Sequence, residues 1–503
     1  MELELRQQTV RCWETVCRTV WEQEETAETI VPDACPDIWQ VLDGSGTLLI
    51  QRKEPQEGRA ELAGLLRVNV LYQPEGEETG IRAMEVTVPF SASPELAGCT
   101  RRAVLRAEPR VLSVDVHLLN PRKILVRAAW QLGLEVLVPQ ALVLPSGAAD
   151  AETYAIQQRT GRYVSVPTVA AVEKRFAYSD DLSLPSGRPD VAELLRTRVG
   201  ASCTDARIVG SKLMCKGEAV LWLLCRGEDG TVFPVDFRLP WSQLLDLGDE
   251  EGEGDGDVAL LFSDAKVLPD EDRRSFQVEL ELQAQALVRR PVEAAVLEDL
   301  YSTERELEPT WADRPAIRLL GQGEEQEAAR AMLDAGDTEE VLAAELRLGR
   351  LVRSQEGTDT VLTQEAEAVV LCRGVDGPVC LRRPVTVTHR LSGQLAEDCR
   401  CRTELLRDAM AAPAGVGVEL TAPVGFRWAA LHEDAERVVE SAMLGEERTA
   451  PEDAPSVVLR AVRPGQTLWE LAKEAATTPG ALMERNGLTT EELTPGQLLM
   501  IAK

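Results

Sequence analysis

A chain of 503 residues with 84 acidic and 54 basic side chains has a net charge of −30, so it repels any phosphate backbone and nucleic acid is excluded as a partner. At roughly 150 residues per domain this length gives about three or four domains, and 44% hydrophobic but only 4% aromatic residues give them cores of Val, Leu and Ala. The first residues, Met1-Glu2-Leu3-Glu4-Leu5-Arg6, lack the basic start and apolar run of a secretory signal. No stretch is apolar for long enough to span a membrane as a helix. Eleven scattered cysteines without zinc-ligand spacing fit a reducing compartment better than a disulfide framework. The expectation is a cytosolic protein.

An internal repeat dominates the first nine-tenths of the chain. Val31-Pro-Asp-Ala-Cys-Pro-Asp37-Ile-Trp-Gln-Val-Leu42 returns at Leu184-Pro-Ser-Gly-Arg-Pro-Asp190-Val-Ala-Glu-Leu-Leu195, an offset of 153 that also relates Gly64 to Gly217 and Tyr72 to Cys225. A third, more divergent copy lies 147 residues further on. Asp337 and Leu342 match Asp190 and Leu195, and Leu224-Cys225-Arg226-Gly227 recurs at Leu371-Cys372-Arg373-Gly374. Apolar residues at 38, 41, 42 and at 191, 194, 195 have helical spacing after a Pro-Asp start, which predicts a short helix in each copy. Asp37 and Asp190 then read as helix caps, and Gly44-Ser45-Gly46 as a turn.

The next run alternates in all three copies, as Leu66, Val68, Val70, Tyr72, then Ala219, Leu221, Leu223, Cys225, then Ala366, Ala368, Val370, Cys372. Period-two apolar residues predict a strand with one buried face, and Phe276-Val278-Leu280-Leu282 continues the pattern. Residues 248–257 form an acidic loop without the order of a calcium loop, and 446–456 read as a linker.

Catalytic patterns are missing. His117, His389 and His432 stand alone, and Cys399-Arg400-Cys401 lacks the further ligands that a metal requires. There is no phosphate-binding glycine loop and no nucleophile elbow. Cys225 and Cys372 occupy the position of Tyr72, and a phenol in place of a thiol argues for packing. The expectation is no enzyme and no cofactor or metal.

Residues 457–503 have a different grammar: strand, Pro464-Gly465-Gln466-Thr467 turn, helix, Thr478-Pro479 break, helix, Asn486-Gly487 loop, Pro495-Gly496 turn, strand. Thr467 and Glu470 have capping-box spacing, and Leu468, Leu471, Ala472 and Ala475 form an apolar stripe. Five basic and five acidic residues leave this segment neutral.

This order, with its R-P-G-Q-T-L-W and N-G-L…L-T-P-G-Q-L-L-M-I stretches, resembles a LysM module, a βααβ domain that binds N-acetylglucosamine-containing glycans. The family often has Asp where this chain has Gln466. The P-D…P-D-I…L motif and the strand after it resemble the SPOCS domain of sporulation proteins of spore-forming Firmicutes. Together they are similar to the SipL-type spore coat morphogenetic family.

The implied fold is mainly β with short helices, in three SPOCS-like repeats (1–165, 166–320 and 321–445), then a linker (446–456) and an α+β LysM domain (457–503). The resemblance implies a non-catalytic scaffold of spore-coat assembly in the mother-cell cytosol, at the forespore surface. Its partner would be the coat-basement ATPase or another coat protein, with self-association through β edges. The alternative is a binder of peptidoglycan or chito-oligosaccharide. Carried onto this sequence, the family's groove is Pro464, Gly465, Gln466, Thr467 and Leu468 with Arg485, Asn486, Gly487 and Leu488. Trp469, off the main apolar stripe, reads either as core or as a partly exposed anchor.

Overall fold

The alternating runs fold as strands throughout the body, and one strand order occurs three times. The computed structural model describes residues 1–76, 80–248, 252–334, 336, 338–392, 398–414, 417–448 and 457–502. The first segment contains β1 (Leu5–Ile30), a meander of β2 (Ile38–Gln56), β3 (Arg59–Pro74) and β4 (Arg82–Ala92), and a hairpin of β5 (Val104–Asn120) and β6 (Lys123–Ala148). β1 returns to pair with β6, so the segment has one sheet ordered β2-β3-β4 and another ordered β1-β6-β5.

The second segment has the same plan with two of its long strands broken. β7 (Ile156–Ser165) and β8 (Thr168–Ser183) flank Pro167; then come the meander β9 (Val191–Val209), β10 (Lys212–Gly227) and β11 (Val232–Asp246), and next β12 (Asp255–Pro269). β13 (Ser275–Arg289) and β14 (Val292–Ser302) flank Pro291. Proline has no N–H for a ladder, so each break falls where the chain must leave its sheet. β7 pairs β14, and β8 pairs β13.

The third segment contains β15 (Arg305–Asp334), the meander β16 (Thr338–Glu356), β17 (Asp359–Gly374) and β18 (Gly377–Leu391), then β19 (Asp398–Leu405), β20 (Met410–Ala414) and β21 (Gly417–Glu447), which pairs β15. β7 and the start of β15 precede the expected joints at 166 and 321, yet they pair with β14 and β21.

In each segment the two sheets face each other over a core. The alternating strand supplies its middle: the four residues named for each of β3, β10 and β17 are all buried. The Tyr72, Cys225 and Cys372 side chains are fully enclosed, and burial pushes the Cys225 thiol up to about 12, as packing requires.

The predicted helices after Pro36 and Pro189 are not formed. Outside the tail, no residue among those described is helical, and these stretches begin β2 and β9. The misleading spacing comes from paired β-bulges. Opposite β3 the ladder skips Trp39 and Leu42; opposite β10 it skips Ala192 and Leu195; opposite β17 it skips Glu339 and Leu342. Two extra residues in five turn a period of two into an apparent 3, 4 pattern. Asp337 lies outside the described residues, as do parts of the 248–257 loop and of the 446–456 linker.

The second bulge carries structural weight. Leu42, Leu195 and Leu342 meet one another and Leu71, Leu224 and Leu371 in one buried cluster, one pair from each segment. Around it the meanders touch in a cycle, β4 on β9, β11 on β16 and β18 on β2, which closes a ring of three.

A third ladder irregularity repeats as well, where β2 skips Gln51 and β9 skips Thr204. There a Cβ on Gly64 would lie 2.0 Å from the Leu49 carbonyl, and one on Gly217 2.0 Å from the Ser202 carbonyl. Only glycine permits that approach. The third segment has Gln364 at this position; its strand partner bulges by two residues, and Gln364 Nε2 donates to the Gly349 and Arg350 carbonyls at 3.0 and 3.2 Å.

Gly44 and Gly46 lie within β2, not in a turn, with Val114 and Val116 of β5 packed over them. Asp37 and Asp190 cap no helix. Each accepts from an arginine at a hairpin tip, Arg122 at 3.1 Å and Arg274 at 2.7 Å, which also bonds nearby carbonyls and clips the Pro-Asp loop to that tip.

Beyond the ring, three antiparallel ribbons form a stalk: the outer halves of β1 with β6, β7 with β14, and the outer halves of β15 with β21. Leu144, Tyr163, Ala294, Val296, Ala316 and Val438 from the three ribbons share one core.

Candidate functional site

The C-terminal segment sits beside the stalk. Its chain order is β22 (Val457–Ala461), α1 (Leu468–Glu474), α2 (Pro479–Asn486) and β23 (Leu498–Ala502), with β22 and β23 antiparallel. Thr467 caps α1: its Oγ1 accepts from Glu470 N at 3.2 Å, and Glu470 Oε2 accepts from Thr467 N at 3.0 Å. Thr478 caps α2 through Ala481 N at 3.1 Å, and Gly487 ends that helix at φ 63°. Leu468, Leu471, Ala472, Leu482, Leu499 and Ile501 fill the small core.

The nine groove positions divide by what the fold already asks of them. Leu468 is core, Leu488 packs against that core, and Thr467 and Gly487 are caps. Pro464 and Gly465 form an exposed turn, with Gly465 at φ 78°. Gln466 Oε1 accepts from Arg463 N at 3.2 Å, which closes the same turn. Asn486 bridges α2 to β23. Its amide donates to Leu482 O at 2.9 Å and Met500 O at 3.0 Å, and its Oδ1 accepts from Met500 N at 2.6 Å. Those bonds use the Asn486 side chain for structure, whereas the Arg485 side chain is exposed.

Trp469 does not stand free as an anchor. Its Nε1 donates to Asp299 Oδ2 at 2.7 Å, its ring meets Tyr301 edge-on at 5.0 Å, and Arg159 lies over it at 5.7 Å. Lys473 pairs with the same Asp299, and Tyr301 Oη donates to Thr477 O at 2.7 Å. The stalk therefore grips α1 and its C-terminal turn through one carboxylate, one phenol and a cation–π contact. Sequence spacing placed Trp469 off the main stripe; its partner, 170 residues away, leaves no local signal.

Another feature follows from strand alternation in the tail. Leu499 and Ile501 turn inward, so Leu498 and Met500 face out, joined by Val457 and Leu459 from the paired strand. Leu459 and Leu498 are each 64% exposed. Together these four side chains form an aliphatic face left in solvent.

Of the other flagged residues, His389 Nδ1 lies 3.0 Å from Glu327 and its ring packs on Phe426, while His432 Nε2 lies 3.1 Å from Asp434. Cys399 and Cys401 lie in β19, and burial raises both thiols. No cluster of three metal-ligating side chains occurs among the described residues.

Two family models match this chain. Residues 37–119, which span β2 to β5, match the SipL, SPOCS domain, and residues 461–502 match the LysM domain. The protein thus joins a SPOCS domain in its first segment to a C-terminal LysM domain, a pairing that fits a spore-associated role in binding peptidoglycan or protein. No curated protein and no solved structure matches it. No helix among the described residues is long and apolar enough to cross a membrane.

Proposed function

We propose that the chain is a non-catalytic scaffold of spore-envelope assembly, in which three SPOCS-like repeats form the body and the LysM module holds a protein of the coat basement. The observation that carries this reading is the aliphatic face of the LysM hairpin, Val457, Leu459, Leu498 and Met500. Such a face suits a protein partner better than a hydroxyl-rich sugar, because burying it releases water from apolar surface. The clamp at Asp299 and Tyr301 supports the same role, since a partner held by the module is held in fixed relation to the body. The repeats, in this reading, dock further coat components or other copies of the chain in the mother-cell cytosol.

The second reading is peptidoglycan binding, favoured by the exposed turn at Pro464 and Gly465 and by Arg485. One titration separates them. The full chain is immobilised and exposed to the purified coat-basement ATPase and, separately, to chito-oligosaccharides. Saturable ATPase binding that Leu459→Asp abolishes, with no saturable glycan binding, supports the scaffold. Glycan binding with no ATPase binding overturns it.

A further inference from the structure

Where the ring meets the stalk, all three segments contribute to a cavity of about 530 Å³. Seven arginines and six carboxylates line it, a local excess of positive charge in a chain whose net charge is −30. Its rim reaches solvent, with the Arg18 and Glu324 side chains 39% and 52% exposed.

The polar groups of this cavity are unevenly matched. Glu135 pairs with Arg18 at 2.9 Å and lies 3.0 Å from Arg400 Nη1; Asp257 pairs with Arg106 at 2.6 Å and Arg402 at 3.4 Å. Those carboxylates leave donors over. Arg106 Nε, Arg402 Nη1, Trp428 Nε1 and both Nε and Nη2 of Arg289 are buried without a hydrogen-bond acceptor among the described residues, and Arg400 Nη1, though 3.0 Å from Glu135, makes no aligned hydrogen bond. They are half of the twelve unmatched buried side-chain atoms described in the protein, and every one on this cavity is a donor. Arg289 is the extreme case: 5% exposed, at the end of β13. Burial, then the neighbouring Arg400 charge, lowers its pKa to about 10 despite Asp257 and Glu135. Native interiors seldom leave such groups unmet, and an unpaired buried cation is costlier still.

We infer that this cavity is a binding site for a small oxyanion, phosphate-like or polycarboxylate, held by Arg289 with Arg106, Arg400 and Arg402. Guanidinium forks match such ligands in pairs of parallel N–H···O bonds, and the low-dielectric surroundings strengthen each one. The cavity has room for a pyrophosphate or a tricarboxylate as well as a single phosphate. This site lies on the body, apart from the LysM surfaces, so it stands or falls independently of the scaffold reading.

Equilibrium dialysis of the full chain against orthophosphate, pyrophosphate and citrate, at constant ionic strength in chloride, tests it. The expected result is saturable binding of at least one of these with one site per chain. Arg289→Gln should weaken it by about tenfold or more, since a charge-assisted bond pair is lost. Glu135→Gln, which removes a competing carboxylate, should strengthen it. Phosphate-only or citrate-only binding identifies the class. No saturable binding leaves the donors to water and overturns the inference; so does binding that Arg289→Gln leaves unchanged, because the anion then sits elsewhere. Circular dichroism of Arg289→Gln confirms folding, and Arg402→Gln replaces it if it does not fold.

Discussion

Two charged clusters lie where the three segments meet, one around Asp43 and one around Arg289. Asp43 is almost fully buried, accepts from Arg347 and Arg382 and is ion-paired with Arg196 at 2.7 Å, while Glu345 takes Arg198, Arg347 and a second contact from Arg196. Burial alone would raise these carboxyls; the Arg196, Arg198 and Arg347 charges outweigh it and hold both below the ordinary range. In the Arg289 cluster Nε and Nη2 of Arg289 itself meet no acceptor among the described residues. The first cluster gives each of its arginines an ion-paired carboxylate and ties segments together, whereas the second leaves Arg289 without one among the described residues. The same ring of strands can thus make a joint or a receptacle, according to whether every arginine lies within reach of an acid.

Acid should have the largest effect, and it acts on both clusters together. Asp43, Glu135, Asp257 and Glu345 are all depressed in the fold, against burial, by neighbouring arginines. The folded state keeps them ionised while the unfolded chain takes up protons near pH 4, so their contribution is complete above that range and disappears as pH falls through the folded values. Denaturant midpoints should hold from neutral pH down to about pH 5 and then drop by an amount worth several kcal/mol. A flat midpoint to pH 3 would show the clusters to be energetically idle.

The next largest effect separates the clusters directly. Asp43→Ala strands buried guanidiniums and should cost about 3–5 kcal/mol, whereas Arg289→Gln removes an unpaired cation and should cost less than about 1 kcal/mol in anion-free buffer. Equal losses in urea unfolding would erase the distinction drawn between joint and receptacle. Gly217→Ala drives a methyl against the Ser202 carbonyl and the Trp241 ring, and should cost about 1–3 kcal/mol. Asp299→Asn weakens only the clamp on Trp469 and Lys473, a loss of about 1 kcal/mol. Hydrogen exchange should quicken across α1 while the ring is unchanged; quickening throughout the ring would make the clamp part of the body's own stability.

Much of this molecule was legible as periodicity. Leu66, Val68, Val70 and Tyr72 alternate because one sheet face is buried, and Thr467 with Glu470 announces a helix start from four residues alone. Ile38, Val41 and Leu42 misled because a pair of bulges imitates helical spacing, and no local rule distinguishes the two. The charged clusters were invisible for another reason. Asp43 meets Arg347 across 304 positions, and an arginine in an alternating strand looks like a solvated face until the partner segment covers it. In the LysM groove, sequence placed the turn and caps, while the structural duty of Asn486 needed β23 beside it.

The cyclic contact of meanders, β4 to β9, β11 to β16 and β18 to β2, fixes a number. An open stack of repeats can gain a member at either end, since each new unit meets only the last. Here the last meander already covers the flank of the first, so a fourth copy would find no vacant flank. Duplication within this architecture stops at three, and growth into larger assemblies must proceed from the stalk, the tail or the outer sheets.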